Sequence, residues 1–127
     1  MLNSLLALCV GSILGALLRY GLGLAMNPLA TAFPMGTLAA NLVAAYVAGF
    51  AAAWLGTHPA LSPAWRLLLI TGFAGGLSTF STFSLELLSL LRDGRLAWSL
   101  AMVAIHVCGS LLMAALGMAS ALALRTP

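Results

Sequence analysis

Long apolar runs separated by short polar breaks make up nearly the whole chain. No charged residue lies between Arg19 and Arg66, or between Arg95 and Arg125. A helix needs about 20 apolar residues to cross the hydrocarbon core of a bilayer. Proline, glycine and charged residues divide the runs into segments of that length. The pattern predicts membrane-spanning helices over about residues 2–26, 35–56, 66–91 and 97–124.

The breaks between these spans carry residues that favour turns: Asn27-Pro28 with Pro34, His58-Pro59 with Ser62-Pro63, and Arg92-Asp93-Gly94-Arg95. Hydrophobic residues make up 63% of the chain and charged residues 6%, whereas about a quarter of an average soluble domain is charged. We expect a single all-α membrane domain over residues 1–127. Such a chain leaves no room for a nucleotide-binding or extramembrane catalytic module, and we expect no nucleic-acid partner.

The third predicted span contains a polar stretch, residues 71–84, in which glycines and hydroxyl side chains interrupt the apolar pattern. Irregular backbone at membrane depth survives only where it is buried in protein or lines a wet cavity. We predict a break at Gly75-Gly76 and a new helix that begins near residues 77–79. Backbone carbonyls before the break could bind a cation, and free N–H groups after it could bind an anion.

Phe80 and Phe83 are three residues apart, so they share one face of the helix that follows the break. The edge of an aromatic ring is positive, and two rings turned edge-on could line a path for an anion. Core packing is the alternative, and the spacing by itself favours it. Thr79, Thr82 and Glu86 cluster on the adjoining face.

Two polar residues in the first and second spans each allow two interpretations. Arg19 shares a helix face with Gly11 and Gly15, so it either packs against protein or extends to the membrane surface. Asn41 either bonds a neighbouring helix or presents its NH₂ donors to a dehydrated anion.

The fourth span carries His106 and Ser110 four residues apart on a small, polar strip. No partner at metal-ligand spacing accompanies the histidine, and we interpret it as a hydrogen-bonded interior residue. Cys9 and Cys108 both fall within spans, where free apolar cysteines are expected.

The basic residues give almost no bias toward one orientation in the membrane. Four crossings place Arg66 and Arg125 on one side, and Arg92 and Arg95 on the other, which also carries Arg19 if that residue emerges from the membrane there. Basic charge in short loops sets topology, so this near tie predicts insertion in both directions. Two inverted copies would form a symmetric pathway, and we expect an antiparallel, dual-topology homodimer.

Three motifs in this order resemble the Fluc/CrcB family of fluoride channels: GALLRY at residues 15–20, GTLAAN at 36–41 and GGLSTFSTFS at 75–84. The match extends over the whole chain in length, span count and motif order. The resemblance implies an antiparallel homodimer in the inner (plasma) membrane, with two fluoride pores and a structural sodium ion.

The resemblance also implies roles for individual residues. Backbone carbonyls of Gly75 and Ser78 from each subunit would hold the sodium, and Phe80 and Phe83 would meet fluoride at their ring edges. Asn41 matches a pore asparagine. The remaining matches are Arg19 near the pore entrance and a polar lining of Ser81, Thr82, Glu86 and Ser110.

A passive channel agrees with the rest of the sequence. An inside-negative potential drives an anion outward with roughly 2.3 kcal/mol per 100 mV, so fluoride export needs no ATPase motif. We expect no enzymatic activity, because no nucleophile and base stand at a plausible spacing. A small multidrug-type proton-coupled transporter is the alternative, with Glu86 as its membrane-embedded carboxylate.

Overall fold

The computed structural model describes residues 1–27 and 33–124. Over these residues the chain is mainly helical, and four spans are long and apolar enough to cross a membrane: Leu2–Met26, Met35–Gly56, Ala64–Arg92 and Leu96–Ala123. Each begins and ends within two residues of the position that the hydropathy pattern predicts. Pro28, in the first predicted break, and Arg125, in the charge comparison, lie outside the described residues.

The first, second and fourth spans are the continuous helices α1 (Leu2–Met26), α2 (Met35–Gly56) and α6 (Leu96–Ala123). The third span is divided into α3 (Ala64–Arg66), a π-helical segment (Leu67–Ala74), α4 (Gly75–Leu77) and α5 (Phe80–Arg92). The apolar pattern gives no sign of the π-helical segment. Such wider turns are rare and occur frequently at functional sites.

Glycines allow the spans to approach at backbone distance. α1 packs mainly against the third span and α2 mainly against α6. A Cβ atom at Gly15 of α1 would collide with the carbonyl oxygen of Phe73, and one at Gly117 of α6 would collide with that of Tyr46. In a bilayer, helices associate through such close packing, because the surrounding lipid is as apolar as the side chains.

The break in the third span lies three residues later than the sequence predicted. Gly75 and Gly76 are helical, whereas Ser78 (ψ 153°) and Thr79 (φ −149°, ψ 112°) are extended. The prediction of a break at Gly75-Gly76 is therefore wrong. A Cβ atom at Gly76 would lie 2.6 Å from the carbonyl oxygen of Ser12, so this glycine allows α1 to approach. The expected start of a new helix near residues 77–79 is close to the observed start at Phe80.

Replacement of Gly15 by alanine should destabilise the protein by about 1–3 kcal/mol, because an added methyl group would overpack the contact between α1 and the third span. Gly21→Ala is the matched control on the same helix, since nothing lies within 4 Å of its added Cβ. This control should leave stability unchanged or raise it slightly, because alanine favours helix more than glycine does. Equilibrium unfolding in detergent measures both, and equal stabilities would contradict the packing assignment.

Candidate functional site

The side chain of Asn41 bridges the break from α2. The Thr79 N–H donates to Asn41 Oδ1 at 2.7 Å, and Asn41 Nδ2 donates to the Thr79 carbonyl oxygen at 3.3 Å. Only the amide oxygen can accept from an N–H group, so the orientation of the amide is fixed. One side chain thus satisfies both polar groups of an extended residue at membrane depth.

His106 accepts the second hydrogen of the Asn41 NH₂ group. Asn41 Nδ2 lies 3.2 Å from His106 Nδ1. The imidazole is 5% exposed, and its centroid lies 4.6 Å from that of Phe83. The interpretation of His106 as a hydrogen-bonded interior histidine is confirmed. Of the two interpretations of Asn41, the bond to a neighbouring segment is the one observed, and contact with an anion stays a prediction.

At the break, two backbone N–H groups donate to side-chain oxygens. In a continuous helix they would donate to backbone carbonyls instead. In an α-helix, the Gly75 carbonyl would accept from the Thr79 N–H and the Ser78 carbonyl from the Thr82 N–H. The Thr79 N–H donates instead to Asn41, and the Thr82 N–H donates to Thr79 Oγ1 at 3.1 Å. The break therefore makes the Gly75 and Ser78 carbonyls available as oxygen ligands. Both residues are exposed.

The two phenylalanines differ sharply in burial. Their ring centroids lie 5.6 Å apart at an interplanar angle of 46°. Phe83 is 6% exposed and belongs to a core cluster with Leu90 and Met102, whereas Phe80 is 81% exposed. Core packing thus accounts for Phe83 in this chain. It does not account for Phe80, which projects away from the protein.

A groove of about 560 Å³ runs along the break, between α2, α6 and the start of α5. It contains many of the residues that the sequence analysis selected: Asn41, Gly75, Ser78, Phe80, Phe83 and Ser110. His106 and Thr79 also line it, and most of the remaining wall is alanine and other apolar side chains. The fold therefore places a few polar groups along an otherwise apolar surface.

A second cavity, of about 320 Å³, lies on the other side of the break and contains Arg19. Thr37, Thr82 and Thr79 also line this Arg19 cavity. Thr79 therefore borders both the groove and the cavity. Arg19 carries the charge among the described residues that line the cavity, and a guanidinium attracts anions.

Two of the expected lining residues are not among those that line the groove or the Arg19 cavity. Glu86 accepts a hydrogen bond from Thr37 Oγ1 at 2.6 Å through Oε1, and its Oε2 is buried with no partner in the described part of the chain. Ser81 is exposed and lies 3.3 Å from Thr79 Oγ1. Helical spacing puts Glu86 and Thr82 on the same face of α5. It could not show that Thr37 of α2 would donate a hydrogen bond to Glu86.

No cluster of three or more histidine, cysteine or acidic side chains that could hold a metal is found within residues 1–27 and 33–124. Cys9 and Cys108 are free and exposed. Neutral oxygens can also bind cations, and the break makes two backbone carbonyls available, those of Gly75 and Ser78.

Comparison with known proteins identifies the family. A family model described as "CrcB-like protein, Camphor Resistance (CrcB)" matches residues 6–118. A Pseudomonas putida protein named fluoride-specific ion channel FluC is 57% identical over 120 residues, which cover 94% of each chain. A Xanthomonas oryzae protein of the same name is 62% identical over 112 residues, or 88% of this chain and 83% of the relative. The resemblance found in the sequence is confirmed.

Replacement of Asn41 by leucine should destabilise the protein by about 2 kcal/mol or more, because it leaves the N–H and C=O of Thr79 unpaired in an apolar environment. Asn3→Leu is the same change at an exposed residue and should have little effect. Equilibrium unfolding of both variants in detergent checks the assignment. If the two variants lose stability equally, Asn41 does not hold the break.

Proposed function

Because the chain belongs to the CrcB family, we infer that it is a fluoride-specific ion channel, a multi-pass protein of the inner membrane. It is not an enzyme. The observation that carries this conclusion is the 57% identity with a fluoride-specific channel over nearly the whole of both chains. The four apolar spans and the polar break within one of them agree with a pathway through a bilayer.

The proposed path for fluoride leads from the Arg19 cavity past Thr79 and Thr82 into the groove beside Phe80 and Ser110. Fluoride is small and strongly hydrated, so a selective path must replace its water by donors without holding the ion too tightly. Hydroxyl groups and ring edges provide such weak, repeated contacts. The guanidinium of Arg19 attracts the anion before it loses its water.

Asn41 would join this path by exchanging one of its bonds. Both of its donors are directed at partners within the chain, the Thr79 carbonyl and His106 Nδ1. A fluoride ion at Asn41 would therefore compete with one of these acceptors. The bond to the Thr79 carbonyl, at 3.3 Å, is slightly longer than the 3.2 Å contact with His106 Nδ1, and it is the one we expect fluoride to replace.

We propose that a second copy in antiparallel orientation covers the groove. Gly75, Ser78 and Phe80 are all exposed along it. Broken backbone is not tolerated against lipid, so protein or an aqueous cavity must lie against this face. The near-equal basic charge on the two sides of the membrane supports an inverted copy as the cover. The symmetric pair would contain two pathways.

A structural sodium ion would fit at the same interface. The Gly75 and Ser78 carbonyls are deprived of their usual helical donors, and both residues face the groove. Carbonyl oxygens from each copy would hold the ion, which would supply positive charge where four backbone dipoles converge. The sodium would stabilise the pair of chains and take no part in moving fluoride.

The proposed direction of flux is export. An inside-negative membrane potential drives any anion outward without a further energy source. The transporter alternative would need Glu86 as an exchanging carboxylate. Glu86 is not among the residues that line the two cavities, which argues against that role.

Phe80→Ile and Phe83→Ile should each reduce fluoride efflux from proteoliposomes by about tenfold or more, because isoleucine lacks the positive ring edge. The wild-type protein alone should conduct fluoride and exclude chloride. Phe50→Ile, the same change outside both cavities, should conduct normally. Gel filtration shows whether each variant keeps its assembly.

Undiminished efflux in both ring variants would refute the ring-edge pathway. Failure of the wild-type protein to conduct fluoride by itself would refute the proposed channel as a homodimer. Uptake coupled to a proton gradient and abolished by Glu86→Gln would favour the transporter instead.

Thorough exchange of sodium for a large organic cation should weaken the dimer or slow fluoride efflux, because carbonyl dipoles from two chains would then face one another uncompensated. Single-molecule counting of labelled chains at high dilution measures the fraction that remains paired, and addition of sodium should restore it. Pairing and efflux that are both indifferent to sodium would contradict a cation at the Gly75 and Ser78 carbonyls.

A further inference from the structure

The proposed pathway does not itself use His106, although the imidazole lies at the centre of the site. The ring is 5% exposed and is placed between two aromatic side chains. Its centroid lies 4.6 Å from that of Phe83 and 6.3 Å from that of Phe33. Its Nδ1 atom lies 3.2 Å from Asn41 Nδ2.

The contacts of Asn41 determine which nitrogen of His106 carries the proton. Asn41 Oδ1 accepts from the Thr79 N–H, so the NH₂ group is the part of the amide that faces the imidazole. An NH₂ group can only donate, and His106 Nδ1 must therefore present a lone pair. In the neutral imidazole the proton then lies on Nε2.

This tautomer leaves one donor unsatisfied. His106 Nε2 is buried and has no hydrogen-bond partner in the described part of the chain. A buried polar group without a partner is costly, and such groups in native proteins require an explanation. An apolar side chain would fill the space between Phe33 and Phe83 without this cost. A polar residue is needed here for one reason only, because its Nδ1 atom accepts a hydrogen bond from Asn41.

We propose that His106 is a positioning residue of the pathway, which holds the Asn41 amide in the orientation that keeps the break open. By accepting one hydrogen of the NH₂ group, Nδ1 keeps Asn41 Oδ1 directed at the Thr79 N–H. The Thr79 N–H is thereby kept away from the Gly75 carbonyl. The start of α5, which carries Phe80 and Phe83, depends on this arrangement.

The imidazole acts on the pathway a second time through Phe83. The two rings are tilted by 40° and in contact, so His106 limits the rotation of a ring that borders the groove. The effect of His106 on fluoride flux rests on the proposed function. The assignment of the proton and the bond to Asn41 do not.

A pair of substitutions separates positioning from packing. In His106→Asn, the side-chain oxygen can occupy the place of Nδ1 and accept from Asn41, although the ring is lost. In His106→Leu, the space is better filled but no acceptor remains. If His106 positions Asn41, the leucine variant should lose about tenfold in fluoride flux, the effect of one unmade buried hydrogen bond. The asparagine variant should stay within about threefold of wild type. The opposite order would overturn the proposal in favour of packing.

Nitrogen NMR of the wild-type protein with ¹⁵N-labelled histidine tests the proton assignment without measuring flux. His58 is a built-in contrast, since its Nδ1 lies 2.8 Å from the Trp54 carbonyl oxygen, which can only accept. We expect an unprotonated Nδ1 in His106 and a protonated Nδ1 in His58. His58→Gln assigns the signals.

Asn41→Leu should remove the hydrogen-bond shift from His106 Nδ1 and leave His58 unchanged. A protonated Nδ1 in wild-type His106 would overturn the proposal even if the protein conducts fluoride. Conversely, the expected tautomer in a protein that fails to conduct would support the His106–Asn41 bond and refute only the channel function.

Discussion

Every polar group of a backbone within a bilayer needs a partner, and this requirement determines the structure around the break. The third span departs from helical geometry at Ser78 and Thr79. An amide from α2 supplies both partners of Thr79, and the Thr79 hydroxyl caps α5. The break is therefore stable only because α2 lies beside it and places Asn41 level with Thr79 along the helix axes. It is a feature of the tertiary structure as much as of the third span.

Close packing of small residues fixes the position of each helix along its neighbours. Gly11 and Gly15 bring α1 against the third span, and Gly49 and Gly117 bring α2 against α6. These contacts are at backbone distance, so the register between helices has little freedom. Since α2 packs against both α6 and the third span, it carries Asn41 to a position between them. Contacts between small apolar residues thus determine where the polar side chain of Asn41 lies.

The chain satisfies the backbone of Thr79 but leaves one face of the break incomplete. Phe83 is enclosed by the fold, whereas Phe80 stands 81% exposed at the edge of the groove. In the same way, Gly75 and Ser78 are exposed, with carbonyls deprived of their usual donors. An arrangement of this kind is suited to being completed by a symmetric copy, which would supply the opposite wall and further oxygen ligands.

The positions of the spans follow from the sequence alone, because hydropathy and turn residues are local properties. The motifs likewise identified the family and contain most of the polar and aromatic residues that line the groove. The sequence could not place the break, since Gly76 serves the approach of α1 and the extended residues follow it. Nor could it show that His106 would form a hydrogen bond with Asn41, or that Thr37 would donate one to Glu86. Those pairings join residues on different helices, and only the packing of the helices decides which polar side chains come within hydrogen-bonding distance.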